Sequence, residues 1–349
     1  MNFFKKKIRI LEKKIFTQNP RPLIKKINNF SDKGKILINK KFYANNYSFG
    51  KLNPDKIFYV IRRSPGAGLF SNLTFVLNHL KIAKENNFIP FVDMEEYPTI
   101  YNEKNKIQNT FNAWEYYFEN TSNFKLNEIY KSKNVIITEN NFYNSFSKWL
   151  HQDEELIKIL KKEIKFKKNI LRIVNVIKKK KFENKKILGI HFRGTSYKSS
   201  PGHPLPATKK QIFNLVKKLL KTEEIDYIFL STEEKDYQEF LSKNFSKKIF
   251  YFNSSYRSNK NDAFKNYPRP NHRYKLGREI LIETILLSYS DYFVFTDTNV
   301  SSFATAINMK TGQKAYKIDN GFNSLNKFIS NWLWYYKSFV PQLLGGFKN

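Results

Sequence analysis

From Lys56 onward the apolar positions fall into short blocks whose period alternates. Ile57–Ile61 is an unbroken apolar run and predicts a buried strand. Ser64-Pro65-Gly66-Ala67-Gly68 reads as a tight loop, Leu69 to Asn86 as a helix and Phe88–Val92 as a second strand. Such a β–loop–α–β unit is the start of a doubly wound sheet. Asn134–Thr138 predicts a further short strand. Residues 152–180 predict one long Lys-rich helix with Ile159, Ile164, Leu171 and Val174 on its apolar side.

A second alternating series begins at Lys186. It runs through strands at Ile187–Phe192, Tyr227–Leu230, Lys248–Phe252, Tyr292–Phe295 and Lys314–Ile318. Helices are expected between them at Lys209–Lys221, Lys235–Asn244, Arg278–Ser290 and Ser301–Met309. Short strands alternating with longer helices imply parallel sheets with right-handed crossovers. Two such series imply two Rossmann-like domains facing a cleft, an α/β architecture of doubly wound parallel sheets. The expected division is a basic segment over 1–50, a first domain over 51–185, a second over 186–318 and a helical return segment over 319–349. Within the first segment Phe4, Ile8, Leu11 and Ile15 share one helical face, and Asn19-Pro20 ends it.

Charge changes this picture less than its size suggests. The 349 residues hold 62 Lys+Arg against 30 Asp+Glu, a formal net charge of +32, which invites a nucleic-acid reading. Lys supplies 52 of those cations and Arg only 10, whereas readers of bases rely on the forked guanidinium. No nucleic-acid partner is therefore expected. The excess is concentrated in residues 1–41 and 151–186, outside the strand ends. These Lys-rich stretches suit an anionic membrane face. Absence of Cys excludes a disulfide scaffold and thiolate chemistry and favours a cytoplasmic address. No apolar run is long enough to span a bilayer, and no secretory signal pattern is present.

Ligands of open parallel sheets bind beyond the carboxyl ends of the strands, so polar clusters there carry the chemistry. The first is His191-Phe192-Arg193-Gly194-Thr195-Ser196, continued by Gly202-His203-Pro204. A guanidinium after a buried strand can fork two bonds onto a phosphate, and Gly194 lets backbone N–H groups approach the same anion. A surface Arg beside a satisfied core His is the alternative. The second is Ser231-Thr232-Glu233-Glu234, which a helix N-cap also explains. The third is Thr296-Asp297-Thr298-Asn299-Val300-Ser301-Ser302, where two Ser at a helix start make an anion seat.

In the first half, Arg62 and Arg63 precede the Gly66/Gly68 loop with Asn72 behind it. The loop lacks the third Gly of a dinucleotide fingerprint. Asp93, followed by Glu95 and Glu96, ends the second strand and is a general-base candidate, with a solvated acidic loop as the plain alternative. No DxD, HExxH, P-loop or GxSxG pattern occurs, so no metal and no separate cofactor are expected.

Taken together, the Gly66–Asn72 loop, His191–Thr195 with Gly202-His203-Pro204, Leu230–Glu233 and Val300–Phe303 resemble the fucosyltransferase superfamily of rhizobial nodulation, core α1,6- and protein O-fucosylation. The likeness covers roughly residues 57–310, and Asn112–Glu119 also looks like a segment of its bacterial members. It implies a metal-independent, inverting GT-B enzyme whose donor is GDP-fucose, held mainly by the second domain. By that resemblance Arg193 stabilises the leaving diphosphate, His191 orders the loop or meets the nucleotide, and Gly194, Thr195, Thr232, Ser301 and Ser302 hold the donor. Gly66, Gly68 and Asn72 shape the acceptor side. Family members usually carry Asp where this chain has Ser196, and the Glu of the core enzyme is absent between Tyr197 and Gly202. Asp93 is the expected substitute base, with His203 next. A surface polysaccharide or lipopolysaccharide is the expected acceptor, met at the inner face of a membrane. A different donor sugar, or a non-catalytic glycan-binding relative, is the alternative reading.

Overall fold

The computed structural model describes residues 30–40, 42–63, 67–138, 149–260 and 262–348. Two units emerge, Met1–Ile170 with Tyr267–Arg278, and Leu171–Asn266 with Glu279–Asn349. The helix expected through Phe4 and Ile15 lies outside the described residues, as does Gly66.

The first unit opens with an antiparallel hairpin of β1 (Ser31–Ile38) and β2 (Phe42–Ser48). Between them Asn39 and Lys40 both take positive φ, the backbone sign that tight hairpin turns need. The apolar pattern gave no sign of this hairpin. β1 is exposed along almost its whole length, with Leu37 50% accessible, so no buried face imposes alternation on it. Next come β3 (Phe58–Ile61), α1 (Leu69–Glu85), β4 (Ile89–Val92), α2 (Leu126–Ile129) and β5 (Val135–Ile137). The sheet order is β1-β2-β5-β3-β4, with β3 parallel to both neighbours. All four β3 side chains are fully buried, which is why that strand reads as a continuous apolar run.

Residues 152–180 form two helices, α3 (Glu154–Glu163) and α4 (Lys168–Lys181), where one was expected. Ile164 leaves the helical region, and the residues after it pair with residues 117–119. Glu119 N–H donates to the Lys165 carbonyl at 2.8 Å, and Lys167 N–H to that of Tyr117 at 3.0 Å. Tertiary pairing thus overrides local helical preference. The distant segment Tyr267–Arg278 is fastened to this unit by a buried carboxylate. Glu103 accepts from Tyr274 N–H at 2.9 Å and from the Tyr267 hydroxyl.

The second unit carries β6 (Ile187–Phe192), α5 (Lys209–Thr222), β7 (Tyr227–Thr232), α6 (Lys235–Phe245) and β8 (Ile249–Tyr251). After α7 (His272–Leu287), whose residues up to Arg278 belong to the first unit, it continues with β9 (Tyr292–Phe295), α8 (Asn299–Ile307), β10 (Lys314–Lys317) and α9 (Lys327–Phe339). All its strands are parallel, in the order β10-β9-β6-β7-β8. The doubly wound expectation is met here in full and in the first unit by β3, β4 and β5. Helix α7 starts six residues before its expected position and so takes in Gly277. A Cβ there would strike the Tyr117 ring, whose hydroxyl donates to the Tyr274 carbonyl at 3.1 Å, so close packing demands the glycine.

Leu188, Ile190, Phe192, Ile228 and Leu230 centre the core of the second unit. Gly189, among them on β6, would place a Cβ 2.5 Å from Ser290 Oγ and 3.1 Å from Leu287 Cδ2. Gly189→Ala should therefore cost roughly 1–3 kcal/mol of stability by overpacking. Urea unfolding measures it, and an unchanged midpoint would refute the tight fit.

Candidate functional site

β6 is followed by β7 on one side and by β9 on the other, so the strand order reverses between β6 and β9. Crevices at such reversals, beyond the carboxyl ends of the strands, are where open α/β sheets take ligands. His191 stands at that end of β6, in register with Ser231 of β7 and Phe295 of β9. It is buried, and neither ring nitrogen has a hydrogen bond of good geometry. Burial drives its pKa down to about 3, Arg193 adds to the shift, and the Ser231 backbone opposes it. A neutral, unpaired imidazole beside a strand end costs about 1–3 kcal/mol, which a bound partner would offset.

Arg193 follows immediately. Its guanidinium lies 4.8 Å from the centre of the Tyr197 ring, with Nη2 3.5 Å from the Ser196 hydroxyl and Nε 3.9 Å from Glu233. About a third of the side chain is exposed. Thr195 donates to the same Glu233 carboxylate at 2.5 Å. Gly194 has no room for a side chain, since a Cβ would sit 2.5 Å from Glu234 Cδ and 2.7 Å from the Phe192 ring. Glu234 is in turn paired with Lys198 at 2.7 and 3.0 Å. Burial raises the Glu234 pKa and Lys198 opposes the rise.

The second cluster serves the edge differently from a simple N-cap. Thr232 Oγ1 accepts from Glu234 N–H at 3.1 Å, but Ser231 turns inward to donate to Glu283 at 2.7 Å. Glu283 also accepts from Ser255 at 2.6 Å and from Arg257 at 3.1 Å. Sequence reading passed over both charges. Arg257 had a signal in the scarcity of Arg, and Glu283 had one as a lone charge in the apolar run Ile280–Leu287.

Of the third cluster, Thr298 and Ser301 form a capping box at the start of α8. Thr298 Oγ1 accepts from Ser301 N–H at 3.0 Å, and the Ser301 hydroxyl accepts from Thr298 N–H at 2.9 Å and donates to the Thr296 carbonyl at 2.9 Å. The Ser301 side chain is thus engaged in capping, and the positive end of α8 is what remains to attract an anion. Ser302 is buried beside it. His203 is exposed, its ring 4.8 Å from that of Tyr197 and its Nδ1 3.1 Å from the Pro201 carbonyl. His191, Arg193, Gly194, Thr195 and Thr232 therefore share one strand edge, and His203 reaches it through Tyr197.

In the first unit the corresponding strand ends are filled by a buried network. Arg62, just after β3, donates to Asp93 at 3.0 Å and to the Tyr130 hydroxyl at 2.6 Å, and Tyr130 donates to Asp93 at 3.1 Å. The other Asp93 oxygen accepts from Glu95 and Glu96 N–H groups at 3.1 and 2.9 Å. Asp93 is fully buried and bonded on both oxygens, which gives it a structural function as the anchor of Arg62. Gly68 begins α1 with open space where a Cβ would be. Asn72 is buried, and its Oδ1 has no partner. It lines a cavity of about 10 Å³, room for roughly one water.

The fold is doubly wound α/β, and this polar edge lies at the topological switch point of its parallel sheet. No protein-family model matches the chain, and no curated protein matches it in sequence. Among solved structures it is similar to fucosyltransferase NodZ from Bradyrhizobium, at 14% identity over 73% of this chain and 93% of that one, with a TM-score of 0.44. It is also similar to FUT1 of Arabidopsis thaliana in complex with GDP, at 12% identity over 77% and 72%, TM-score 0.44. A third is apo POFUT1, at 10% identity over 76% and 98%, TM-score 0.42. All three are fucosyltransferases, the family whose motifs the sequence resembles. The superpositions are loose, and nothing further rests on them.

Because the folded chain holds His191 neutral down to about pH 3 while an unfolded His takes up a proton near 6.5, stability is full above about 6.5 and falls as pH drops towards 3. Between pH 7 and pH 5 the wild type should lose about 2 kcal/mol more than His191→Gln does. Parallel urea titrations at the two pH values measure this, and equal losses would contradict a buried neutral imidazole.

Proposed function

We propose that the protein is a metal-independent, inverting glycosyltransferase that moves fucose from GDP-fucose to a glycan acceptor. The observation that carries this reading is the pairing, at the end of β6, of a braced and partly exposed Arg193 with a buried, unpaired His191. Breaking the glycosyl–oxygen bond leaves its electron pair on the departing diphosphate, which gains one negative charge beyond those it already carries. With no metal-binding motif in the sequence, a guanidinium and helix-end N–H groups are the groups able to take that charge. Arg193 supplies the fork, and the start of α8 supplies the dipole.

The acceptor hydroxyl must lose a proton. Asp93, bonded on both oxygens, is poorly placed for that work, which favours His203. A carbonyl can only accept, so Nδ1 of His203 is the protonated nitrogen and Nε2 of the neutral ring carries the free lone pair. The acceptor in this reading is a surface glycan built on a lipid, met at an anionic membrane face.

Calorimetry with GDP, UDP, ADP and CMP should show a clear preference for GDP, and equal affinities would remove the donor assignment. Arg193→Ala should lower kcat about 10²- to 10³-fold, with Arg193→Lys recovering only part, because a point charge cannot fork. His203→Gln should lower kcat and leave GDP affinity unchanged; full turnover would return the base to another group.

A further inference from the structure

Helix α9 is mounted with its apolar side outward. Phe328, Trp332, Tyr335 and Phe339 recur at i, i+4, i+7 and i+11 and so form one stripe. They are 77%, 66%, 44% and 85% exposed, with Tyr336 and Ile329 on the same flank. The opposite side does the anchoring. Trp334 Nε1 donates to the Pro206 carbonyl at 2.8 Å, and the Ser330 hydroxyl donates to that of Ser199 at 3.2 Å. The stripe is prolonged at one end by Leu343 and Leu344 and at the other by Leu325 and Phe322, all exposed. An ordinary surface helix presents polar residues to water. An apolar surface of this extent marks an interaction site.

We infer that this face is a bilayer-docking surface, α9 lying in the plane of an anionic membrane with its aromatic stripe among the headgroups and upper acyl chains. Charge selects this occupant. Residues 320–349 contain Lys327, Lys337 and Lys348 and no Asp or Glu, so every charged side chain of the segment that carries the stripe is positive. Chemistry agrees, because Trp and Tyr are the side chains that favour the membrane–water boundary, and Lys beside them reaches lipid phosphates. Leu343, 99% exposed, stands clear of the fold, as an inserting residue must. The inference deepens the membrane part of the proposed function and is independent of the donor assignment. It places docking on α9, apart from the two Lys-rich stretches at 1–41 and 151–186.

Flotation of the full chain with phosphatidylcholine vesicles containing about 30% phosphatidylglycerol tests it. The wild type should float with these vesicles and much less with phosphatidylcholine alone. Trp332→Ser combined with Phe339→Ser should cut partitioning about tenfold or more. Both residues are exposed, and unchanged GDP affinity and unfolding midpoint would show that fold and donor site survive. Trp332→Phe should still bind, yet lose most of the quenching of Trp emission by brominated lipid. Undiminished flotation of the double variant would overturn the inference. So would a wild type that ignores vesicles but sediments as a dimer which the double variant dissociates, since the stripe would then face a second copy. Loss of GDP binding with intact flotation would instead strike only the donor reading.

Discussion

Glu283 sits inside the second unit with its carboxylate shared among Ser231, Ser255 and Arg257, and Arg257 and Glu283 are each about 95% buried. These contacts join the end of β7, the loop after β8 and the body of α7 at one point. Arg257 also donates to the Phe252 and Ser255 carbonyls, so the loop cannot drift without uncovering a charge. Burial raises the Glu283 pKa while Arg257 and the two hydroxyls pull it down. Removing one partner of such a pair typically costs about 3–5 kcal/mol, far more than a surface pair contributes. The edge that carries His191 and Arg193 is thereby built on a fixed floor: Ser231 is the register partner of His191, and the loop's Ser258 N–H bonds the Glu233 carbonyl at 3.0 Å.

Most of the fold was legible because parallel strands are buried on both faces. Phe58–Ile61 and Ile187–Phe192 are apolar throughout, and the helices between strands carry a clear stripe. What escaped was decided by contacts remote in sequence. The break at Ile164 depends on residues 117–119, and the early start of α7 depends on Tyr117. Strand β1 was invisible for the opposite reason, having too little burial to leave a pattern. The site divides in the same way. Arg193 and Gly194 were readable because rare Arg and obligatory Gly announce themselves, whereas Glu234 and Glu283 draw their importance from partners the spacing does not reveal.

The two units treat the same topological position differently. In each, a strand at the order reversal is followed directly by an Arg. Arg62 is closed off by Asp93 and Tyr130 and serves the interior, while Arg193 is propped on Tyr197 and left a third exposed. One guanidinium ties strand ends together inside the unit, and the other stands at the surface against Tyr197 and Glu233. Lys198 extends the second arrangement outward. It pairs with Glu234 under Gly194 and lies 4.8 Å from the centre of the Trp334 ring, so α9 and the Arg193 loop share a support.

The scarcity of Arg acquires a meaning from these positions. A composition with 52 Lys and 10 Arg behaves like a natural substitution scan, in which a point charge has replaced a fork wherever either would serve. Arg62, Arg193 and Arg257 survive that scan, and each follows a strand of a parallel sheet: β3, β6 and β8. What distinguishes them from the lysines is geometry: each meets partners in more than one direction at once. In this chain three of the ten Arg thus stand beyond the carboxyl ends of parallel strands, a placement of which the net charge alone gives no hint.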